Sequence, residues 1–395
     1  MTTWPAIRIV DTTLRDGSHA IAHQYRVDQV ETVARALDRA GVWAVAVGHG
    51  DGLGASSIQY GRPLHSDAEL IAAAARVIGR AQIAIAILPG LGTKADLETA
   101  HAAGATVARV STVCTEADIG LQHLGLAREL GMIAHSHLNT AHLLDPAGMA
   151  EQSLIVADAG SQGIFIVDSA GAFLPDDVRR RVAAMREALP DDVAVGIHEH
   201  NNLSLAVANS AAAISEGATL VDTSLAGLGA GAGNCQTEAL VAVLERMGIA
   251  TGIDLWALQD VADEVVRGEI MRRPIEIDRL TATMGYAAVP ASYLLHAIRA
   301  GERFGLDPRE LIVELGKRRV VVGQEDAIIG IAAELRQRLD ALRDHRRPRR
   351  RPHRHASNER RLRGARLVGR RGLEVRRAGR LRRARPHELP CVRRA

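Results

Sequence analysis

The feature that most constrains this chain is an alternation of apolar runs and amphipathic segments that repeats about every 30 residues between positions 7 and 248. The apolar runs have the length and the Val and Ile content of buried strands. The segments between them are rich in alanine, carry apolar residues at helical spacing, and often end at a glycine, as at Gly41 and Gly104. The predicted strands cover residues 7–14, 43–48, 82–88, 107–113, 132–138, 163–167, 193–198 and 220–225.

Eight strands alternating with eight helices predict an α/β protein, a (β/α)8 TIM barrel rather than an open sheet. We assign this barrel to residues 1–250. Past residue 250 the alternation stops, and the pattern predicts a small helical C-terminal subdomain over residues 251–345. Its predicted helices cover residues 254–266, 291–304, 308–317 and 324–343, and residues 272–288 are expected to be a connection.

Residues 346–395 differ in composition from the rest of the chain. They hold 20 arginines, no lysine and three acids, so the net charge of +3 hides an acidic body. Such a run can bind nucleic acid, and an RNA-binding protein acting through this tail is the hypothesis from another functional class. Because the run lacks interleaved aromatic residues, we favour a disordered extension with no selected role and do not expect a nucleic-acid partner.

The sequence gives no sign of membrane insertion or secretion. No apolar run approaches the length of a membrane span, and the first residues lack a basic start followed by a hydrophobic block. Cys114, Cys235 and Cys391 are too few and too far apart to indicate a disulfide framework or a zinc knuckle. We therefore expect a cytoplasmic protein without a membrane partner.

Candidate chemistry begins just past the first predicted strand, in residues 11–20. This stretch places Arg15, Asp16 and His19 where a strand turns into a loop. A guanidinium can hold an oxyanion, a carboxylate can hold a hard cation, and an imidazole can move a proton near neutral pH. These residue types together indicate catalysis on an anionic substrate.

A second candidate group lies near the end of the seventh predicted strand. His198 and His200 are two residues apart, so both imidazoles are expected on one face of the strand and Glu199 on the other. In a barrel, the end of this strand and the end of the first strand meet at the same mouth. Asp16, His198 and His200 therefore form a plausible metal site of one carboxylate and two histidines with open positions.

Two further motifs are expected near the mouth. Ser169 follows the sixth predicted strand and can donate a hydrogen bond to a substrate carboxylate. The glycine-rich residues 227–234 follow the eighth strand and open a helix, where backbone N–H groups could hold an anion. Because no nucleotide-binding context surrounds them, we favour a tight crossing from strand to helix that keeps the mouth open.

Taken together, these motifs resemble those of the 4-hydroxy-2-oxovalerate aldolases, metal-dependent class II pyruvate aldolases of the HMG-CoA-lyase-like barrel superfamily. The resemblance covers roughly residues 5–340. It rests on residues 11–25, 49–53, 88–90, 115–118, 167–171, 198–209, 226–234 and 314–326.

The resemblance implies a role for each candidate residue. A divalent ion is expected, Mn²⁺ first and Mg²⁺ or Co²⁺ as alternatives. The residues that match the family's metal ligands are Asp16, His198 and His200. Arg15 is expected to steady the pyruvate enolate, and His19 to act as base on the 4-hydroxyl group. Ser169 and His198 are expected to contact the substrate.

The resemblance also implies the substrates and a protein partner. The expected reaction is the cleavage of 4-hydroxy-2-oxovalerate to pyruvate and acetaldehyde, or its reverse, so the small-molecule partners are a 2-oxo acid and an aldehyde. The expected protein partner is an acylating aldehyde dehydrogenase that takes up the aldehyde. We expect it to dock near residues 291–343.

The chain departs from the family pattern on the aldehyde side. Pro290 stands where a tyrosine is usual, Ala86 where a leucine is usual, and residues 135–139 where an apolar run is usual. Tyr286 and Tyr293 are candidates to replace the missing tyrosine. These changes leave open a second interpretation, in which the same chemistry joins a bulkier aromatic or pyridyl aldehyde to a 2-oxo acid in a biosynthetic pathway.

Overall fold

A computed structural model describes residues 6–346 of the chain. Eight parallel strands close into a barrel, because β1 pairs with both β2 and β8. The predicted (β/α)8 barrel is thus confirmed. The strands are β1 Arg8–Asp11, β2 Ala44–Ala46, β3 Gln82–Ile87, β4 Val107–Val113, β5 Ile133–Asn139, β6 Gly163–Asp168, β7 Ala194–Glu199 and β8 Leu220–Thr223.

A helix follows each strand and covers the outside of the barrel. Several of these helices begin with an N-cap residue, and α2 has a complete capping box. The side chain of Ser66 accepts from the backbone N–H of Glu69, and the carboxylate of Glu69 accepts from the backbone N–H of Ser66. The first helix ends at Gly41, whose φ of 95° suits glycine. The helices are α1 Val27–Ala40, α2 Asp67–Ala75, α3 Lys94–Ala102, α4 Leu121–Glu129, α5 Pro146–Asp158, α6 Pro175–Ala188, α7 Ala206–Ser215 and α8 Thr237–Arg246.

The interior of the barrel is filled by side chains of unequal size. Phe165 on β6 occupies the centre together with small residues such as Ala44 and Ala84. Gly196 on β7 makes room for this ring, since a Cβ at that position would lie 2.6 Å from it. The interior is therefore a packed core, and functional residues that follow different strands converge at the carboxyl ends of the strands.

Within residues 6–346, five more α-helices follow those of the barrel. The first, α9 Leu255–Val261, continues as a π-helix at Ala262–Ile270, and both belong to the hydrophobic core of the barrel. The others share a separate hydrophobic core that includes Met284, Tyr293 and Leu315. They are α10 Arg279–Ala287, α11 Tyr293–Phe304, α12 Pro308–Lys317 and α13 Ala327–Arg346. The domain boundaries assigned at residues 250 and 345 stay predictions.

One prediction in this region was wrong. Residues 272–288 were expected to be a connection, yet they contain α10. The helix begins at Asp278, whose carboxylate accepts from the backbone N–H groups of Leu280 and Thr281. Threonine and Gly285 weaken the helical signal in the sequence, but Gly285 lets the helix approach Leu203 closely, so tertiary packing outweighs local propensity.

Two expectations concern features outside the active site. Within residues 6–346, none of the helices combines the length and the apolar character that a membrane span requires. Cys114 and Cys235 are buried free thiols, and burial raises the pKa of each to about 12. Cys391 and the predicted disordered tail beyond Arg346 lie outside the described residues, and the cytoplasmic location stays a prediction.

Candidate active site

Arg15 and Asp16 lie side by side at the mouth of the barrel, just past β1. Asp16 begins a short 3₁₀ helix, Asp16–Ile21, which turns the chain across the mouth. A guanidinium nitrogen of Arg15 lies 3.0 Å from the Asp16 carboxylate and donates to the backbone oxygen of Gly50 at 3.2 Å. The guanidinium is therefore fixed beside the carboxylate.

Asp16, His198 and His200 converge on one point. Each offers one ligand atom, and the three atoms lie within 4.8 Å of one another. Nε2 of His198 lies 3.8 Å from a carboxylate oxygen of Asp16, and the centroids of the two imidazoles are 5.0 Å apart. One carboxylate and two histidines form a donor set that first-row divalent ions accept with coordination positions left open.

The other nitrogen of each imidazole already has a partner. Nδ1 of His198 lies 2.8 Å from the carboxylate of Asp222, and Nδ1 of His200 lies 3.0 Å from the backbone oxygen of Asp168. Because both partners accept, each Nδ1 carries the proton and each Nε2 keeps a free lone pair. Proteins orient metal-binding histidines in this way, so these three residues fit a divalent ion.

The charges around the cluster favour its ligand form. Burial by itself would raise the pKa of Asp16, but the charge of the neighbouring Arg15 guanidinium, the largest opposing effect, holds it well below its usual range. Burial lowers the pKa of His200, against the opposing effect of Asp16. At neutral pH the carboxylate is therefore ionised and the His200 imidazole is neutral, which are the states that bind a cation.

Glu199 points away from this cluster, as expected for the residue between two inward-facing histidines. Its carboxyl group accepts from the side chain of Asn209 at 3.0 Å. Burial, reinforced by the nearby charge of Asp168, raises the pKa of Glu199 well above its usual value. The group therefore holds a proton more readily than an ordinary carboxyl group, and because it points away from the cluster it takes no part in binding a cation.

A buried network below the cluster was missed in the sequence. Asp222 on β8 holds His198, pairs with the guanidinium of Arg109 from β4, and lies 3.6 Å from Nε2 of His137 on β5. Arg109 and Asp222 are each only 1% exposed. The sequence did contain a signal for this network. Arg109 and Asp222 are charged residues within apolar strands, and the alternation of side chains along each strand places both of them on the face toward the barrel interior.

His19 lies on the 3₁₀ helix, packed against the loop that follows β2. A Cβ at Gly50 would overlap its imidazole, so glycine allows this approach. Nδ1 of His19 lies 3.9 Å from the carboxylate of Asp51, and the ring meets His23 edge-on with centroids 5.1 Å apart. His23 in turn stacks on His49 at 3.8 Å. His19 is thus held at the edge of the cavity by a cluster of polar rings.

Ser169 faces the cavity with its hydroxyl hydrogen available. Its Oγ accepts from the backbone N–H of Thr140 at 2.9 Å, and its backbone oxygen accepts from the N–H of Ala291 at 3.1 Å. These two bonds fix the residue without using its own O–H. The hydroxyl can therefore donate to an anion in the cavity.

The glycine-rich loop after β8 contacts Asp16 directly. The backbone N–H of Ala230 donates to the second carboxylate oxygen of Asp16 at 3.1 Å. Gly233 has a φ of 82°, and a Cβ there would overlap the backbone oxygen of Gly227. The loop is therefore a tight crossing whose amide positions a carboxylate of the site.

All six candidate residues line one cavity of about 730 Å³. Those residues are Arg15, Asp16, His19, Ser169, His198 and His200. Ala86 on β3 and Pro290 in the connection between α10 and α11 also line it. Tyr286 and Tyr293, the two candidates to replace the family's tyrosine, do not line the cavity. Tyr286 is 79% exposed, and the hydroxyl of Tyr293 donates to the backbone oxygen of Val321.

Known proteins resemble this chain along nearly all of its described length. The HMGL-like family model matches residues 6–265, and the DmpG-like communication domain matches residues 275–337. A 4-hydroxy-2-oxovalerate aldolase of Geobacillus genomosp. 3 is 50% identical over 330 residues, which are 84% of this chain and 97% of that protein. The protein of the same name from Thermomicrobium roseum is 50% identical over 341 residues, covering 86% of this chain and 95% of the relative.

Solved structures support the fold. The carboxyl transferase domain of Rhizobium etli pyruvate carboxylase, solved with pyruvate, has a TM-score of 0.71 at 16% identity, covering 84% of this chain and 61% of that one. The N-terminal domain of a putative aldolase from Bacteroides vulgatus has a TM-score of 0.64 at 19% identity, covering 74% and 96%. On sequence identity and coverage, the chain belongs to the HMGL-like family and, within it, to the 4-hydroxy-2-oxovalerate aldolases.

Proposed function

We propose that this protein is a metal-dependent carbon–carbon lyase that cleaves 4-hydroxy-2-oxovalerate to pyruvate and acetaldehyde, or joins them in the reverse direction. The observation that carries the proposal is the convergence of Asp16, His198 and His200 beside Arg15, with His19 at the edge of the same cavity. The names of relatives about 50% identical over most of the chain support the same reaction.

The proposed metal ligands are Asp16, His198 and His200, with Mn²⁺ as the first candidate and Mg²⁺ or Co²⁺ as alternatives. Their donor set, their two available Nε2 atoms and the ionised carboxylate all support this assignment. When bound, a divalent ion supplies Lewis-acid polarisation of the substrate's 2-oxo group.

Three side chains of the cavity have the remaining catalytic and binding roles. His19 takes the proton of the C4 hydroxyl as the C3–C4 bond breaks, a role that contributes on the order of 10²–10⁴-fold. Arg15 holds the negative charge that develops on the C2 oxygen, and a fixed donor of this kind is worth about 3 kcal/mol. Ser169 donates its free hydroxyl to the substrate carboxylate.

The metal assignment is tested by His198→Ala and His200→Ala. Each variant should lose affinity for Mn²⁺ in a direct binding titration while it keeps the thermal unfolding profile of a folded barrel. Arg15→Ala should keep Mn²⁺ binding and lose aldolase activity, which separates the enolate site from the metal. Mn²⁺ binding at wild-type strength in both histidine variants contradicts the proposed ligands.

We further propose that an acylating aldehyde dehydrogenase docks on the C-terminal helices near residues 291–343. The match of residues 275–337 to a communication domain supports this partner, and Leu295 on α11 is 60% exposed beside the cavity. Leu295→Asp should reduce co-purification with such a dehydrogenase, whereas removal of the residues after Arg346 should leave it intact. Co-purification that depends on those last residues contradicts the proposal.

A further inference from the structure

The wall of the cavity formed by β4 and β5 carries polar groups that the proposed mechanism does not use. Ser111 on β4 and Asn139 at the end of β5 both line the cavity. Neither side chain has a hydrogen-bond partner within residues 6–346, and neither is sealed away from the cavity. Both side chains are therefore free to form hydrogen bonds with a molecule that occupies the cavity.

Two other polar side chains on the same strands, by contrast, are already paired. Ser136, which faces outward from β5, donates to Oγ of Ser161 at 3.0 Å. Arg109, which faces inward from β4, pairs with Asp222. A partly buried polar group without a protein partner binds water or a ligand, because leaving it unpaired is costly. Ser111, only 9% exposed, is such a group.

The position of this wall connects it with the C4 end of the substrate. His19, the proposed base for the C4 hydroxyl, packs against Gly50 in the loop after β2. From that loop the wall continues through Ala86 on β3 to Ser111 on β4 and Asn139 on β5. Ala86 pairs with Arg109, which lies two residues before Ser111. With the C4 hydroxyl at His19 and the 2-oxo acid end against the metal cluster, Arg15 and Ser169, this wall is the part of the cavity assigned to a substituent on C4.

We propose that Ser111 and Asn139 form a subsite for a hydroxyl group on the aldehyde, so that the enzyme uses a short 2-hydroxyaldehyde better than the analogue with a methyl group in place of that hydroxyl. The inference rests on the proposed aldolase function and specifies its second substrate. A neutral hydroxyl is the matching chemistry, because a serine hydroxyl and an asparagine amide can each donate and accept a hydrogen bond. Neither of them carries a charge that would select a carboxylate or a phosphate.

The reaction needs no further reactant. With glycolaldehyde, C3 of pyruvate loses a proton and forms a bond to the aldehyde carbon, and the former carbonyl oxygen gains a proton. The product is 4,5-dihydroxy-2-oxopentanoate, which contains all the atoms of the two substrates. In the cleavage direction the 4-hydroxyl proton leaves, the C3–C4 bond breaks, and C3 takes up a proton.

Glycolaldehyde and propionaldehyde are the probes that test the subsite, since they differ only by a hydroxyl in place of a methyl group. With the Mn²⁺-loaded full chain and saturating pyruvate, kcat/KM should be about tenfold higher for glycolaldehyde, the factor expected from one neutral hydrogen bond. Ser111→Ala and Asn139→Leu should each lower this ratio, mainly by raising KM for glycolaldehyde. Activity with propionaldehyde shows that each variant is folded.

Ser136→Ala is the matched control, because it removes a hydroxyl from the outward face of β5 and should leave the ratio unchanged. A wild-type ratio at or below one overturns the subsite, as does a ratio that neither Ser111→Ala nor Asn139→Leu lowers. Acetaldehyde keeps this outcome separate from a failure of the proposed function. If pyruvate and acetaldehyde also give no product, the aldolase assignment itself has failed.

Discussion

Asp222→Asn tests whether the buried carboxylate beneath the metal cluster controls the cluster. In the wild-type protein, Asp222 accepts from Nδ1 of His198 at 2.8 Å and compensates the charge of Arg109. Asparagine keeps the size of the side chain but removes its charge, and its amide group can also donate toward Nδ1. The proton on Nδ1, and with it the free Nε2 that faces Asp16, is then no longer enforced.

Two separate losses should result. Removing the partner that orients a metal-binding histidine costs about 10–100-fold in metal affinity, or roughly 1.4–2.7 kcal/mol. Arg109 is fully buried and loses its counter-charge, which costs about 3–5 kcal/mol of unfolding free energy. Burial already lowers the pKa of Arg109 to about 10, against the opposing effect of Asp222, so this guanidinium depends on its partner.

The assay is a Mn²⁺ titration of the metal-free protein by calorimetry, together with denaturant unfolding of the same samples. Glu199→Gln is the matched control, because that residue is buried next to His198 but points away from the cluster, toward Asn209. It should change Mn²⁺ affinity less than about twofold, well below the effect of a lost orienting partner.

A double variant separates the two effects. Arg109→Met with Asp222→Leu replaces the buried ion pair by apolar side chains, which should recover much of the stability but not the Mn²⁺ affinity. The reasoning is refuted if Asp222→Asn binds Mn²⁺ within twofold of the wild-type protein. It is equally refuted if the double variant recovers wild-type affinity, since stability alone would then explain the loss.

Two further predictions concern the aldehyde pocket and the pH dependence of stability. Ala86→Leu should lower kcat/KM for an aromatic aldehyde much more than for acetaldehyde, because each buried CH₂ is worth about 0.8 kcal/mol and the added side chain occupies that space; an unchanged ratio of the two values rules out the bulky-aldehyde interpretation. Burial raises the pKa of Asp11 to about 6 from 3.8, so its contribution to stability is complete below pH 4 and is lost as the pH rises through 6. The unfolding free energy of Asp11→Asn should therefore rise relative to that of the wild-type protein by about 2 kcal/mol between pH 4 and pH 7, measured by urea denaturation. A constant difference across that range contradicts the buried-acid explanation.

Local sequence determined much of this protein. The alternation of apolar runs and amphipathic segments predicted the barrel, and each observed strand overlaps one of the predicted apolar runs. The pattern is informative because a parallel sheet covered by helices requires buried, apolar strands separated by amphipathic helices. The spacing of His198 and His200 predicted that both imidazoles share a face, because side chains alternate along a strand. Asp16 could be added to them because the fold brings all strand ends to one mouth.

Only the tertiary structure decided what surrounds those residues. The network of Asp222, Arg109 and His137 joins the neighbouring strands β4 and β5 to β8, which is distant in the chain, and no local pattern specifies which inward-facing charges meet across a barrel. The helix at Arg279–Ala287 likewise owes its stability to a cap and a close glycine contact that propensity does not show. Ser111 and Asn139 are ordinary polar residues in the sequence. They become candidates for a subsite because closure of the barrel leaves their side chains facing the cavity, without a hydrogen-bond partner among the described residues.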